Sequence, residues 1–122
     1  MRSLLSLFFV MAINSIAFAG EADVVDVKVS GSNGSYNFSV TVRHADEGWE
    51  HFANRWEVVG DDGTVYGTRV LAHPHVNEQP FTRSGTINIP TNIKTVTVRA
   101  NDSVHGLGGR EIVVPLPVSS NF

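Results

Sequence analysis

Cysteine is absent from all 122 residues, which excludes disulfide bonds, thiolate metal ligands and a thiol nucleophile. It also leaves no thiol to carry a lipoprotein anchor. Positive charge is scarce, with nine Lys and Arg against twelve Asp and Glu and a net charge of −3. The basic footprint of a nucleic-acid binder is therefore missing. Only 17% of residues are charged and 42% are hydrophobic, with no long run of one sign, so a disordered chain is excluded as well. No segment carries a 3.6-residue apolar period over ten residues, which argues against a helical domain; residues 46–54 have room for one helical turn at most. Both methionines, Met1 and Met11, fall in the N-terminal stretch, so the rest of the chain lacks soft sulfur ligands altogether.

That N-terminal stretch reads as an export signal. Arg2 supplies the positive start, residues 4–13 are apolar apart from Ser6, and Ala17 and Ala19 set small residues at the −3 and −1 positions of a cleavage site. The apolar run is short for a bilayer span and no second one follows. The expectation is a signal peptide over residues 1–19 and one exported domain over residues 20–122, periplasmic or secreted, free of the membrane after cleavage.

What is present is alternation of period two. Tyr36, Phe38, Val40 and Val42 alternate with Asn37, Ser39, Thr41 and Arg43, the clearest strand pattern in the chain. Val25, Val27 and Val29 alternate with Asp26 and Lys28, and Trp56 and Val58 with Arg55 and Glu57. Residues 65–71 form a fourth segment whose facing Gly67 obscures. Ile87 and Ile89, then Val96, Val98 and Ala100, then Ile112, Val114 and Leu116 complete seven strands. Between them, Gly31-Ser32-Asn33-Gly34, Asp61-Asp62-Gly63 and Pro90-Thr91-Asn92 have the chemistry of tight turns. Seven short strands in a domain of this length predict an all-β, immunoglobulin-like sandwich, here without its disulfide.

Trp56 resembles the buried third-strand tryptophan of immunoglobulin-type sandwiches, and residues 95–115 resemble the last hairpin of immunoglobulin-like or fibronectin-III-like modules. The segments Gly48-Trp49-Glu50-His51 and His73-Pro74-His75-Val76-Asn77-Glu78-Gln79-Pro80-Phe81 resemble signatures of an uncharacterised family of exported bacterial proteins. That resemblance covers most of the exported domain and implies no known activity.

Successive antiparallel strands place alternate connections at opposite ends of a sandwich. All five histidines then fall at one end: His44 and His51 in residues 44–54, His73 and His75 in 72–81, and His105 in 101–109. Asp46, Glu47, Glu50, Glu78 and Asp102 share that end. Pro74 biases His73 to an extended conformation, in which positions i and i+2 face the same side, so His73 and His75 are the expected pair of metal ligands. His105 or His51 is the expected third ligand, His44 a further candidate ligand, and Glu78 either ligates or holds a ring tautomer. Without sulfur the ion would be Zn(II), Cu(II) or Ni(II).

The bland alternatives are a hydrogen-bonded histidine cluster, or a metal-free protein- or glycan-binding module anchored by Trp49, Phe52 and Phe81. Pro80-Phe81 reads more simply as a plug for the sandwich end. Residues 106–109 are glycine-rich but open no helix, so they make no phosphate loop. Asp61-Asp62-Gly63 lacks the further acids of a calcium loop. Ser84 and Ser103 sit in no nucleophile motif. The reading is a binding module and not an enzyme.

Overall fold

A computed structural model describes residues 21–118. The expected signal peptide, Gly20 and the last four residues lie outside the described residues. Eight strands run in chain order: β1 (Asp23–Ser32), β2 (Ser35–Arg43), β3 (Ala53–Val59), β4 (Val65–Val70), β5 (Phe81–Asn88), β6 (Thr95–Asp102), β7 (Gly106–Leu107) and β8 (Ile112–Pro115). Among the described residues there is no helix. One sheet has the order β1-β2-β5; the other has β4-β3-β6, with β7 and β8 both paired to β6. All pairings are antiparallel.

Alternation gives each sheet one apolar face, and the two faces share one core. Tyr36, Phe38, Val40 and Val42 from β2 meet Trp56 and Val58 from β3 and Val96, Val98 and Ala100 from β6. Trp56 and Phe38 touch across the core with ring centroids 6.5 Å apart. Burying such side chains contributes on the order of 2–3 kcal/mol each, which replaces the cross-link that a cysteine-free chain cannot make.

Three departures from the alternation have physical causes. A bulge between Val24 and Asp26 shifts the register of β1, so Val24 is fully buried and Val25 only partly, while Val27 and Val29 still pack on the core. Strand β5 starts at Phe81, well before Ile87, and its alternation is hidden because Gly85 yields space to Trp56: a Cβ there would stand 3.4 Å from the indole ring. Gly67 plays the same part in β4. A Cβ at that position would lie 2.6 Å from Ile87 Cδ1, so the missing side chain lets β4 approach β5. Arg69 then bridges this seam, its Nε donating to Ser84 O at 2.8 Å.

The eighth strand is β7, a two-residue return that pairs Asn101 with Leu107 and Asp102 with Gly106. It holds the β6–β8 connection against the end of β6. At the opposite end of the molecule, the β1–β2 reversal turns on Asn33 and Gly34, both at positive φ (56° and 89°), as a two-residue Asn-Gly hairpin requires. Thr64 N donates to Asp62 Oδ1 at 3.0 Å in the β3–β4 turn, an ordinary local turn contact. Two clefts of about 280 and 320 Å³ also lie at that histidine-free end, lined by residues such as Tyr36, Ile93 and Lys94.

Candidate metal centre

The inward row of β2 does not stop where the strand does. Val42, His44 and Asp46 are buried in turn, with Arg43, Ala45 and Glu47 exposed between them. The inward row of β6 runs the same way through Val96, Val98 and Ala100 to Asp102. At this end of the core the apolar layers therefore give way to a polar one, formed by His44 from one sheet and Asp102 from the other.

His44 Nε2 lies 3.3 Å from Asp102 Oδ1, and neither side chain is exposed. His51, from the β2–β3 connection, brings its Nε2 to 3.0 Å from the same oxygen. A ligand atom from each of His44, His51 and Asp102 lies within 4.8 Å of the other two. Ligands about 2.0–2.1 Å from a tetrahedral zinc ion stand about 3.3–3.4 Å from one another, so the two nitrogen–oxygen distances are close to those of a coordination edge. The far nitrogens face carboxylates: His44 Nδ1 is 2.5 Å from Asp46 Oδ1, and His51 Nδ1 is 2.7 Å from Glu47 Oε1. Histidines that bind metal are oriented in this way, with the second ring nitrogen donating to a carboxylate that fixes the tautomer and raises ligand basicity.

Asp102 is the hub. Its carboxylate also accepts from the His105 ring Nδ1, from His105 N at 3.1 Å and from Val104 N at 3.3 Å. Burial pushes its pKa up, but the bonds from His105, Val104 and His51 outweigh burial and hold it below the usual aspartate value. His105 is the most open of these imidazoles, with 46% of its side chain exposed, and its ring centroid is 5.0 Å from that of His51. It stands on the solvent side of the cluster.

The expected pair lies elsewhere. His73 is exposed, its Nδ1 3.2 Å from Pro74 O. His75 is buried and stacked on Phe81, ring centroids 3.9 Å apart and 11° from parallel. The two rings do stand together, 4.7 Å between centroids, but His75 Nε2 accepts from Arg83 Nη2 at 2.8 Å. Glu78 is exposed and 3.6 Å from Arg83. The cluster thus joins His44 and His51 to Asp102, with His105 against the same carboxylate, while His73, His75 and Glu78 form a separate neighbourhood. Asp102 is the participant that sequence reasoning placed only at the right end of the molecule. Its parity with Val96, Val98 and Ala100 was the available signal.

The aromatic residues divide as well. Trp49 is 69% exposed and meets Phe52 edge to face at 5.7 Å, whereas Phe81 is buried and closes the end of the core.

Fold and site together define an all-β domain of two antiparallel sheets with a buried histidine–carboxylate cluster at one end. The chain is 43% identical over 95 residues to a protein of Halomicrobium mukohataei named "Putative lipoprotein". The match covers 77% of this chain and 47% of that protein, so the chain spans about half the length of the curated relative it matches. No protein-family model and no solved structure matches the chain.

Proposed function

We propose that this chain is an exported, immunoglobulin-like binding domain that captures a divalent transition metal ion, Zn(II) first and Cu(II) or Ni(II) as alternatives. His44 Nε2, His51 Nε2 and an Asp102 oxygen are the ligands, and His105 completes the set from the solvent side. The observation that carries this reading is the convergence of two Nε2 atoms on one buried carboxylate while Asp46 and Glu47 face the two Nδ1 atoms. An N- and O-donor set without sulfur suits these ions and not Cu(I).

The sheet orders β1-β2-β5 and β4-β3-β6-β8 support the immunoglobulin-like, fibronectin-III-like assignment. The N-terminal signal pattern and the name of the Halomicrobium protein support a place in the cell envelope or outside it. In this reading the domain holds its ion and does not turn over a substrate, since no catalytic motif accompanies the histidines in the sequence.

Calorimetry on the untagged, chelator-stripped domain, with histidine ring signals followed by NMR, tests the proposal. One zinc bound per chain at sub-micromolar affinity, with shifts at His44 and His51, supports it. Binding no tighter than about millimolar overturns it. In that case the exposed Trp49, set on Phe52 beside the cluster, favours the second reading, a metal-free protein- or glycan-binding domain.

A further inference from the structure

The His73-Pro74-His75 segment is the strongest motif that the metal centre does not absorb. The β4–β5 connection that carries it presses on the β2–β3 connection through polar contacts. His75 N donates to Asp46 Oδ2 at 2.6 Å, Gln79 Oε1 accepts from His44 N at 2.9 Å, and Gln79 Nε2 donates to His75 O at 2.9 Å. Asp46 Oδ1 meanwhile takes Ala53 N at 3.1 Å and faces His44 Nδ1. Both oxygens of Asp46 are thus fixed, one by the β4–β5 connection and one by the histidine it orients.

His75 itself is locked on three sides. Its ring stacks on Phe81, its Nε2 accepts from Arg83, and its backbone is tied to Asp46. An arginine can only donate, so Nε2 is an acceptor and the ring proton sits on Nδ1. That nitrogen is buried, without a hydrogen-bond partner, and faces Asp46 Oδ2 from 4.0 Å. With Nε2 committed to a guanidinium, His75 is poorly placed to accept a metal ion; its backbone N–H holds the Asp46 carboxylate, and the ring, fixed by Phe81 and Arg83, sets where that backbone stands.

We infer that His75, held by Arg83, is a positioning residue that orients Asp46 and through it His44, and so sets the affinity of the metal centre without touching the ion. The inference rests on the metal-binding reading above. It assigns the His-Pro-His motif to bracing and removes it from coordination.

The test compares His75→Phe, which keeps the stack on Phe81 but removes the bond from Arg83 that steadies the backbone donor to Asp46, with Arg83→Leu, Arg83→Lys and His73→Ala. Each full domain is titrated with zinc against a competing chelator, and with Co(II) for its visible spectrum. The expected result for H75F is zinc affinity weakened about tenfold or more, at one ion per chain and with an unchanged Co(II) spectrum. R83L weakens binding in the same direction, R83K restores most of it, and H73A leaves it unchanged.

Loss of stoichiometry or a changed Co(II) ligand field in H75F or H73A makes those histidines ligands and overturns the inference. Equal affinity in wild type, H75F and R83L overturns it too, while leaving the metal centre standing. A wild-type domain that binds no zinc overturns the metal reading and this inference together. Should H75F fail to fold, the R83L and R83K pair decides, because Arg83 lies at the rim of the inward row of β5 with 31% of its side chain exposed, where a leucine or a lysine can be housed.

Discussion

His44 and Asp102 meet across the interior of the domain, Nε2 to Oδ1 at 3.3 Å, one beyond the end of β2 and the other at the end of β6. They join the two sheets at the point where the apolar core stops. A buried carboxylate is tolerated there because imidazoles and backbone N–H groups surround it, and because those donors outweigh its burial its pKa lies below the ordinary value.

Asp102→Asn should therefore be among the most damaging single changes outside the apolar core. An amide keeps the shape but removes the charge that His44, His51 and His105 share, and breaking such a buried arrangement costs about 3–5 kcal/mol. Urea unfolding in the presence of chelator measures that loss without metal, and zinc titration of the folded fraction should show no site. A loss under about 1 kcal/mol would mean that the cluster is not electrostatically coupled.

Much of the fold was legible, and for a definable reason. Tyr36 to Val42 and Val96 to Ala100 alternate because one face of each strand is buried, and Trp56 sits in the core where the pattern put it. The bulge at Val24 and Asp26 and the contacts at Gly67 and Gly85 were not legible, since each depends on a partner far away in sequence. The same holds for the site. Counting strands brings the histidine-bearing connections to one end, and bonds such as His51 to Asp102 and His75 N to Asp46 join those connections. Spacing favoured His73 and His75 as a pair, yet Arg83, eight residues further on, holds His75 Nε2, and the ring's other nitrogen faces Asp46.

Glu57 supplies a pH dependence remote from the cluster. It lies on the outer face of the larger sheet, where Arg55 Nε and Arg99 Nε donate to its two oxygens at 2.6 and 2.9 Å. Burial pushes its pKa up, but the two guanidinium groups outweigh that and hold it below 4.5. A depressed carboxyl contributes stability that is present above the unfolded value and is lost as pH falls through the folded one. Unfolding free energy should thus decline on acidification below about pH 4.5. Glu57→Gln should lower stability at pH 7 by about 1–3 kcal/mol and flatten the acid limb. Parallel acid limbs for the two proteins would assign the decline to other carboxylates.

His75 gives a second sign. Burial, and then the positive charge of Arg83, lower its pKa below 6.5, so protonation is easier in the unfolded chain. Its neutral form contributes stability above about pH 6.5 that is lost as pH falls through the lower folded value. The stability difference between wild type and His75→Phe, measured in chelator, should therefore shift toward the variant as pH drops from 7 to 5. A difference independent of pH would show that His75 is protonated equally in both states.

Gly109 tests how firmly the β6–β8 connection is seated. A Cβ there would stand 2.0 Å from Ala22 O and 2.7 Å from Asp23 Oδ1, next to the bonds Val24 N to Arg110 O and Arg110 N to Asp23 Oδ1. Gly109→Ala must push this connection off β1 and should cost about 1–3 kcal/mol. Asp102 is held by its own turn, through Val104 N and His105 N, so zinc affinity should change much less than stability. An affinity loss as large as that of a ligand substitution would mean that the whole connection moves as one body.

Zinc itself should act as a stabiliser, because the ligands come together only in the folded chain. At a free concentration one hundred times Kd, binding adds about 2.7 kcal/mol. A domain of about 100 residues gains roughly 4–8 °C per kcal/mol, so the melting midpoint should rise by about 10–20 °C. His44→Ala and Asp102→Asn should abolish that rise, while Trp49→Ala and His73→Ala should keep it, because their side chains lie on the exposed rim. The pattern separates coordination from packing: His44→Ala weakens the metal-free domain as well, whereas Trp49→Ala should leave its midpoint nearly unchanged. A rise that survives His44→Ala but disappears in His73→Ala would move the ion to the β4–β5 connection and require Arg83 to release His75.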